Sequence, residues 1–345
     1  MGVALTELLL MKEVDIGHFR GKILVVDTPM WLYQFLSNIR QRDGSLLMDS
    51  KGNVTSHLTG LFSRICNLIE MDIKLIFCFD GTPHKLKHIT LEKRKGIKQE
   101  AMKNYEAAKE KDDTEGMKKY AARTSRLTSE MINEAKSLIE AFGIPVITAP
   151  QEAEAQASFI VRNKEAYALA TNDADALLFQ SPLIVRNLNM AGKKKKTNKL
   201  AYETINSDLI SLQENLNHLG ITQDQLIALA MLIGTDFNAG GIKGIGPKTA
   251  LKLVKQHGDN FNLMFNEAKW DDFFQFGWKE VFDVINYMPV TEDYKIEWKK
   301  VDEEKIMKLL VDDHDFSSER ISAQLSDLSK AKSKGGQKGL GDFFG

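Results

Sequence analysis

The sequence predicts an α/β fold with a mostly parallel, twisted central sheet flanked by helices. The first observation is a set of mostly apolar runs of strand length, at residues 22–27, 73–80, 144–149 and 166–173. Continuous apolar runs are typical of parallel strands that are covered on both faces. The second observation is that segments with helical periodicity separate these runs, which favours strand–helix–strand crossovers.

Two of the intervening segments carry the helical pattern clearly. In residues 56–71 and 124–142, apolar side chains recur three and four positions apart, and Gly143 supplies a stop after the second segment. Each of these helices leads into a strand through a short turn. We therefore expect one α/β core assembled from residues 1–84 and 127–220.

Residues 85–126 interrupt this alternation with a basic insertion. The segment holds thirteen Lys and Arg against seven Asp and Glu, although the whole chain has a net charge of −1. Its polar, Ala-containing composition predicts a helix with few core contacts, or a segment that orders on binding. Segregated positive charge of this kind favours a polyanionic partner.

The last third of the chain is predicted to be helical. Thr222 and Gln225 form a capping-box pattern, and residues 240–249 form a glycine-rich hairpin with Pro247 in the first turn of the next helix. The hairpin matches neither the P-loop nor the dinucleotide fingerprint. Phosphate binding without base reading fits it, and so does a plain tight turn. We expect a hairpin module at 221–260, a helical region packing on the core at 261–328, and a flexible tail at 329–345.

Composition excludes several classes of protein. The 345-residue chain has no apolar run long enough to span a membrane and no basic region followed by an apolar block at its N-terminus. Cys66 and Cys78 are too isolated for a disulfide framework or a zinc site, and we expect both to be buried thiols. The expectation is a soluble, cytoplasmic monomer.

The apolar runs end at acidic residues, and this pattern predicts the functional site. In parallel sheets ligands bind beyond the carboxyl ends of the strands, so the acids should share one rim. At about 4 Å and an effective dielectric near 20, each like-charged pair costs about 4 kcal/mol, which divalent cations would relieve. Because Mg²⁺ uses few direct carboxylates, the set could hold two ions, some through water. The acids are Asp27, Asp80, Glu152, Glu154, Asp173, Asp175 and Asp236.

Spacing supports part of this set, and an alternative stays open. Asp173 and Asp175 converge if they continue an extended strand end. Glu152 and Glu154 follow Pro150 at a predicted helix start, where residues two apart face nearly opposite ways, so their joint use needs an irregular first turn. The alternative is that the acids serve only as helix caps and turn residues.

These residues resemble the structure-specific 5′ nuclease superfamily, and within it the flap endonuclease family, with an archaeal look. The motifs run almost end to end: Met1-Gly2, Val26-Asp27, Tyr33-Gln-Phe-Leu36, Thr55-Ser-His57, Phe79-Asp-Gly81, Pro83, Lys93-Arg94, Ala149-Pro150, Glu152-Ala-Glu154, Ala170-Thr171, Gly234-Thr-Asp236 and Gly244-Ile-Gly-Pro-Lys248. The resemblance implies a PIN-like nuclease core, a helical arch at 85–126 and a helix–two-turn–helix module. It implies two Mg²⁺ ions, for which Mn²⁺ could substitute, and branched DNA with a displaced 5′ strand as substrate.

The resemblance also implies individual roles. Lys87 and Arg94 match catalytic bases, with solvated arch residues as the alternative, and Tyr33 matches an aromatic that stacks on a base, with a core aromatic as the alternative. A monovalent cation is implied at the hairpin, whose loop is one residue longer than in eukaryotic members, leaving the ligands open. DNA contacts are implied at Gly2, Arg40, Lys243, Gly244, Gly246 and Lys248, and a peptide that binds the sliding clamp (proliferating cell nuclear antigen) at Gln337, Leu340, Phe343 and Phe344.

Two other functions stay open at this level. One is a related 5′ exonuclease or bubble-cutting excision nuclease. The short arch insertion and the clamp peptide argue against it. The other is a clamp-bound DNA scaffold without catalysis, which predicts missing acids, and none of the seven is missing.

Overall fold

The computed structural model describes residues 5–111, 113–121, 124–188, 194–195, 202–203 and 206–336. Its centre is a seven-stranded sheet with the order β1-β9-β6-β5-β2-β3-β4. The strands of this sheet are β1 (Lys12–Val14), β2 (Ile23–Asp27), β3 (Lys74–Phe79), β4 (Val146–Thr148), β5 (Ala168–Ala170), β6 (Leu183–Arg186) and β9 (Ser207–Ser211). A separate antiparallel pair is formed by β7 (Lys194–Lys195) and β8 (Tyr202–Glu203).

The predicted apolar runs form the parallel centre of the sheet. β2 pairs in parallel with β3 and β5, β3 pairs with β4, and β5 pairs with β6. This confirms the predicted fold class. The sequence interpretation did not identify β1, β6 and β9, of which β1 and β9 add an antiparallel edge. β1 and β9 contain Lys12, Glu13 and Asp208, so they lack the apolar pattern of central strands.

Helices cover both faces of the sheet. Along β2, Leu24 and Val26 pack on one face and Val25 packs on the other, as the period of a strand requires. One face packs against α1 (Thr28–Asn38), α2 (Ser56–Glu70), α5 (Ser129–Ala141), α12 (Glu303–Met307) and α13 (Ser318–Gly336). The other face packs against α6 (Ala153–Arg162), α7 (Leu212–Leu219), α8 (Gln223–Ile233), α9 (Pro247–His257), α10 (Phe261–Glu267) and α11 (Trp278–Asn286). Cys66 and Cys78 are free thiols buried on opposite faces.

The basic insertion forms two helices, α3 (Lys87–Glu110) and α4 (Thr114–Ala121), that contact each other. The structure thus favours the helical alternative for this segment. Over its 24 residues, α3 buries only Thr90, Ala101 and Ala108. Its stability therefore depends on a few specific contacts rather than on a continuous apolar stripe.

The C-terminal part differs from the expectation in two places. Residues 289–302 form neither helix nor strand, and backbone hydrogen bonds such as Lys299 N to Gly143 O (2.8 Å) hold this segment on the core. The tail predicted to be flexible from residue 329 was also placed too early, because α13 continues to Gly336. Leu325 and Leu328 are buried on the core and carry the helix past that boundary. No helix within the described ranges is long and apolar enough to cross a membrane.

Candidate nuclease site

Two of the acids lie where central strands end. Asp27 is the last residue of β2 and caps α1, with its Oδ1 accepting a hydrogen bond from Met30 N (3.4 Å). Asp80 follows β3, and its Oδ1 accepts a bond from Ala153 N (2.8 Å), which fastens the start of α6 to this strand end. Gly81 permits this approach, since a Cβ there would lie 2.1 Å from Ala149 O. The rim is therefore assembled by close backbone packing.

The start of α6 shows how Glu152 and Glu154, two residues apart, can both lie at the rim although such residues face nearly opposite ways in a regular helix. Glu152 is the N-cap, with extended φ and ψ of −89° and 125°, whereas Glu154 lies in the first helical turn. The backbone change between them redirects one side chain relative to a regular helix. Glu152 forms an ion pair with Lys87, and Glu154 Oε1 accepts a bond from Thr171 Oγ1 (3.1 Å). Both acids therefore lie at the rim.

The predicted geometry of Asp173 and Asp175 is wrong, although both residues are at the rim. β5 ends at Ala170, and Asp173 instead caps a short 3₁₀ turn, Ala174–Leu177, that contains Asp175. Asp173 Oδ1 accepts a bond from Asp175 N (3.1 Å). The pair is thus positioned by a capped turn, because the Asp side chain competes with the strand for backbone donors.

A buried hydroxyl connects the two halves of this acidic group. Thr171 Oγ1 lies 3.1 Å from both Asp27 Oδ2 and Glu154 Oε1, and it accepts a bond from Asp173 N (3.1 Å). A hydroxyl has one proton to donate, so the two carboxylates compete for it. Thr171 therefore positions three acids without carrying charge.

Burial and mutual repulsion raise the pKa values of several of these acids. Burial, with the charge of Asp80 next, raises the pKa of Asp27 to about 7. Burial and then Asp173 raise the pKa of Glu154 well above its usual range. The pKa values of Asp80 and Glu152 are also raised, first by burial, although Lys87 opposes the shift in both. Such a group is unfavourable without added positive charge.

Two cations from α3 supply part of that charge. Lys87 contacts Glu152 and lies 3.6 Å from Asp236 Oδ2, while Arg94 contacts Asp236 Oδ1. Lys87 and Arg94 are seven residues apart, and the helix presents them on one face as predicted. Burial is the largest influence on the pKa of Lys87 and would lower it, but the carboxylates of Glu152, Asp80 and Asp236 together outweigh burial, and the net shift is upward.

The acid set suits divalent cations that prefer oxygen ligands. As the side chains stand, no three Asp, Glu, His or Cys in the described part of the chain are close enough to enclose an ion. Lys87 and Arg94 hold Glu152 and Asp236, whereas Asp27 and Glu154 share a neutral hydroxyl. Because Mg²⁺ keeps several waters and few direct carboxylates, this spread of hard donors fits it.

The other predicted residues take varied positions. Tyr33 is 39% exposed on α1, with Lys98 Nζ 4.8 Å from its ring centre, so the core-aromatic alternative is wrong. Arg40 donates from Nη1 to Gly44 O (2.8 Å) and from Nη2 to Ser125 Oγ (2.7 Å). Arg40 thus braces a loop, and its DNA contact stays a prediction.

The hairpin between α8 and α9 presents its tip to solvent. Lys243, Gly244, Gly246 and Lys248 are all exposed. At its base, Gly241 has φ +58°, and a Cβ there would lie 2.1 Å from Ile233 O, so only glycine fits. Gly2, Gln337, Leu340, Phe343 and Phe344 lie outside the described residues.

Sequence reasoning missed two hydroxyls. Thr171 belongs to the motif Ala170-Thr171, and its position between a strand and a pair of Asp residues could have identified it as a site residue. Thr90, on α3, donates to Asp236 O (2.7 Å). No sequence signal identifies this contact, because the two residues are 146 positions apart.

Comparison with known proteins agrees with this geometry. The family model described as XPG N-terminal domain matches residues 1–101, and XPG I-region matches residues 143–236. Flap endonuclease 1 of Hyperthermus butylicus is 46% identical over 96% of this chain and 95% of its own. The solved flap endonuclease-1 from Methanococcus jannaschii is 35% identical, with a TM-score of 0.75 over 96% of this chain and 99% of that one. The catalytic core of Rad2 in complex with DNA substrate is 25% identical, with a TM-score of 0.70 over 95% and 100%.

Fold, acidic rim and family models together define an XPG-type nuclease that acts on the phosphodiester bonds of DNA. Identity over nearly the whole length narrows the class further. The chain belongs to the flap endonuclease family.

Proposed function

We propose that this protein hydrolyses branched DNA that carries a displaced 5′ single strand, near the junction of single strand and duplex, using two Mg²⁺ ions. The observation that carries the proposal is the convergence of Lys87 and Arg94 from the basic helix α3 on the acids Glu152 and Asp236 at the sheet rim. Cation-binding groups and phosphate-binding groups thus meet at one place. The proposal extends to associated 5′–3′ exonuclease activity.

Each group has a defined task in this scheme. Bound divalent ions would stabilise the attacking and leaving oxygens of the phosphoryl displacement. The seven acids would hold those ions, with Thr171 fixing Asp27, Glu154 and the backbone of Asp173. Lys87 and Arg94 would neutralise charge on the phosphate in the transition state.

DNA is proposed to extend in two directions from the rim. Exposed Tyr33 would stack on a base beside the scissile phosphate, with Lys98 above its ring as a phosphate partner. The exposed tip with Lys243 and Lys248 would contact the backbone of the duplex, where glycines allow close approach. A monovalent cation held by carbonyls of that loop belongs to the same proposal.

The cellular role is proposed from the same family likeness. The C-terminal peptide with Gln337, Leu340, Phe343 and Phe344 would bind the sliding clamp and bring the enzyme to Okazaki fragments and repair sites. We further propose that the protein acts as a monomer in the cytoplasm.

The test is cleavage of a synthetic double flap, a bubble and a nicked duplex, each with added Mg²⁺ or with a chelator. The flap should be cut once near the junction, only with metal, and faster than the bubble. The double variant Lys87→Ala/Arg94→Ala should slow single-turnover cleavage at saturating enzyme more than it weakens binding. Preferential bubble cutting, or cleavage in the chelator, would contradict the proposal.

A further inference from the structure

The face of α3 that carries Lys87 and Arg94 also carries Thr90. The three residues are three and four positions apart, so they lie in one row along the helix. Thr90 is buried, and its Oγ1 donates to the backbone carbonyl of Asp236 at 2.7 Å. This contact differs in kind from its neighbours, because it holds the backbone of the loop rather than its charged side chain.

Further contacts extend along the same loop. Lys93 Nζ lies 3.4 Å from Ala239 O, and the ring of His84 meets the ring of Phe237 edge-on at 6.4 Å. The residues just before α3 and its first two turns therefore follow the loop over residues 236–239. Of these contacts, that of Thr90 is a short neutral hydrogen bond to a fixed acceptor, so metal or DNA binding at the carboxylates would not compete for it.

The loop that receives Thr90 is stiffened from within. Asn238, which is buried, accepts bonds from Thr235 N (3.0 Å) and Thr235 Oγ1 (2.7 Å) and donates to Met231 O (2.7 Å). Ile242 N then donates to Leu232 O at 3.0 Å and closes the loop back onto α8. The segment between Asp236 and the exposed hairpin tip is thus a rigid link.

We propose that Thr90 is a positioning residue that fixes the base of α3 on the loop between α8 and α9. Through it, the hairpin tip that would hold duplex DNA and the cations Lys87 and Arg94 keep one fixed separation. This inference rests on the proposed nuclease function for its effect on cleavage, but not for its effect on the position of α3. Because α3 buries few other side chains, the loss of this hydrogen bond should increase the range of positions that the helix takes.

The kinetic test compares Thr90→Val, which keeps the shape and removes the hydroxyl, with Thr90→Ser, which keeps the hydroxyl. Thr90→Val should lower the single-turnover rate at saturating enzyme about tenfold, equivalent to about 1.4 kcal/mol, with the Kd for flap DNA changed by less than about twofold. Thr90→Ser should restore most of the rate. Ser207→Ala is the matched control, since it removes another buried hydroxyl that donates to a carbonyl, Asn187 O, at the sheet edge.

The structural test needs no cleavage. Spin labels on Lys103→Cys in α3 and Asn262→Cys in α10 report the distance between the arch and the helix that contacts α9 of the hairpin module, and both native thiols are buried and protected from labelling. Thr90→Val should broaden the distance distribution, and Thr90→Ser and Ser207→Ala should leave it narrow. An unchanged distribution in Thr90→Val, or a rate loss shared equally by Ser207→Ala, would overturn the inference. If the unsubstituted protein cut no flap while Thr90→Val still broadened the distribution, the proposed function would fail and the role of Thr90 would stand.

Discussion

Lys87→Met should destabilise the protein in the absence of divalent ions, because the side chain neutralises buried acids. Lys87 and Glu152 form an ion pair in which the side chains are only 13% and 10% exposed. The attraction of Lys87 to Asp236 at 3.6 Å is about 4 to 5 kcal/mol at an effective dielectric of about 20. Desolvation of the ammonium offsets much of this gain, and removing one partner of a buried pair typically costs about 3 to 5 kcal/mol. Since the pair retains some exposure, we expect the lower end, about 3 kcal/mol.

The assay is urea unfolding in a chelator, with Lys85→Met as the matched control. Lys85 lies two residues away and pairs with Glu280 at 3.0 Å, but its side chain is 75% exposed. Loss of that surface pair should cost less than about 1 kcal/mol. Added Mg²⁺ should reduce the difference in the free energy of unfolding between Lys87→Met and Lys85→Met. It replaces the missing positive charge and stabilises the folded state to the extent that it binds. The reasoning is refuted if Lys87→Met is no less stable than Lys85→Met in the chelator.

Three further predictions concern other parts of the chain. Asp175→Asn should keep flap-DNA binding by anisotropy while single-turnover cleavage falls by roughly 100-fold or more, and unchanged cleavage would count against the metal assignment. Deletion of residues 337–345 should leave cleavage of a free flap intact and abolish stimulation by the sliding clamp; retained stimulation would exclude that peptide as the binding site. Burial raises the pKa of Asp49, but hydrogen bonds from Asn53 and His314 prevail and lower it to about 2. Stability that Asp49 contributes above its unfolded pKa of about 3.9 should be lost as the pH falls towards about 2. The thermal unfolding temperature of Asp49→Asn should therefore vary less over that pH range than that of the unsubstituted protein. An equal pH dependence in the two proteins would contradict the stabilising role of Asp49.

The parts of the fold that depend on local physics were predictable. Central parallel strands must be apolar at nearly every position, so β2 and β3 are visible in the sequence. The capping box at Thr222 is likewise visible, and both of its hydrogen bonds form. The antiparallel edge was not predictable in this way, because β1 and β9 carry charged residues and lack a continuous apolar run. Their place follows from pairing partners distant in sequence, with Glu13 opposite Asp208.

For the candidate site, the location of most acids was predictable from the sequence and their orientation was not. That acids at the ends of parallel strands share one rim follows from sheet geometry. Asp236 follows α8 instead of a strand, and Lys87 and Arg94 link it to the rim. How each acid is oriented did not follow. Asp173 and Asp175 depend on a capped turn rather than a strand, and Glu152 depends on a non-helical N-cap. These details depend on competition between side chain and backbone for donors, which spacing alone does not resolve.

The positive charges at the rim neutralise only some of its acids, and this explains why the chain carries the basic insertion at residues 85–126. Buried carboxylates would repel one another and unfold the rim unless opposite charge is supplied. The rim ends of β2, β3 and β5 carry no Lys or Arg. A helix with few core contacts can instead carry Lys87 and Arg94 to Glu152 and Asp236 without placing cations in the sheet itself. On the other half of the rim, Asp27 and Glu154 share the neutral hydroxyl of Thr171, and there burial and neighbouring acids raise the pKa of Glu154 well above its usual range. The helix therefore compensates part of the negative charge and leaves the remainder for the divalent cations that we propose, so one arrangement serves both the stability and the proposed chemistry of the protein.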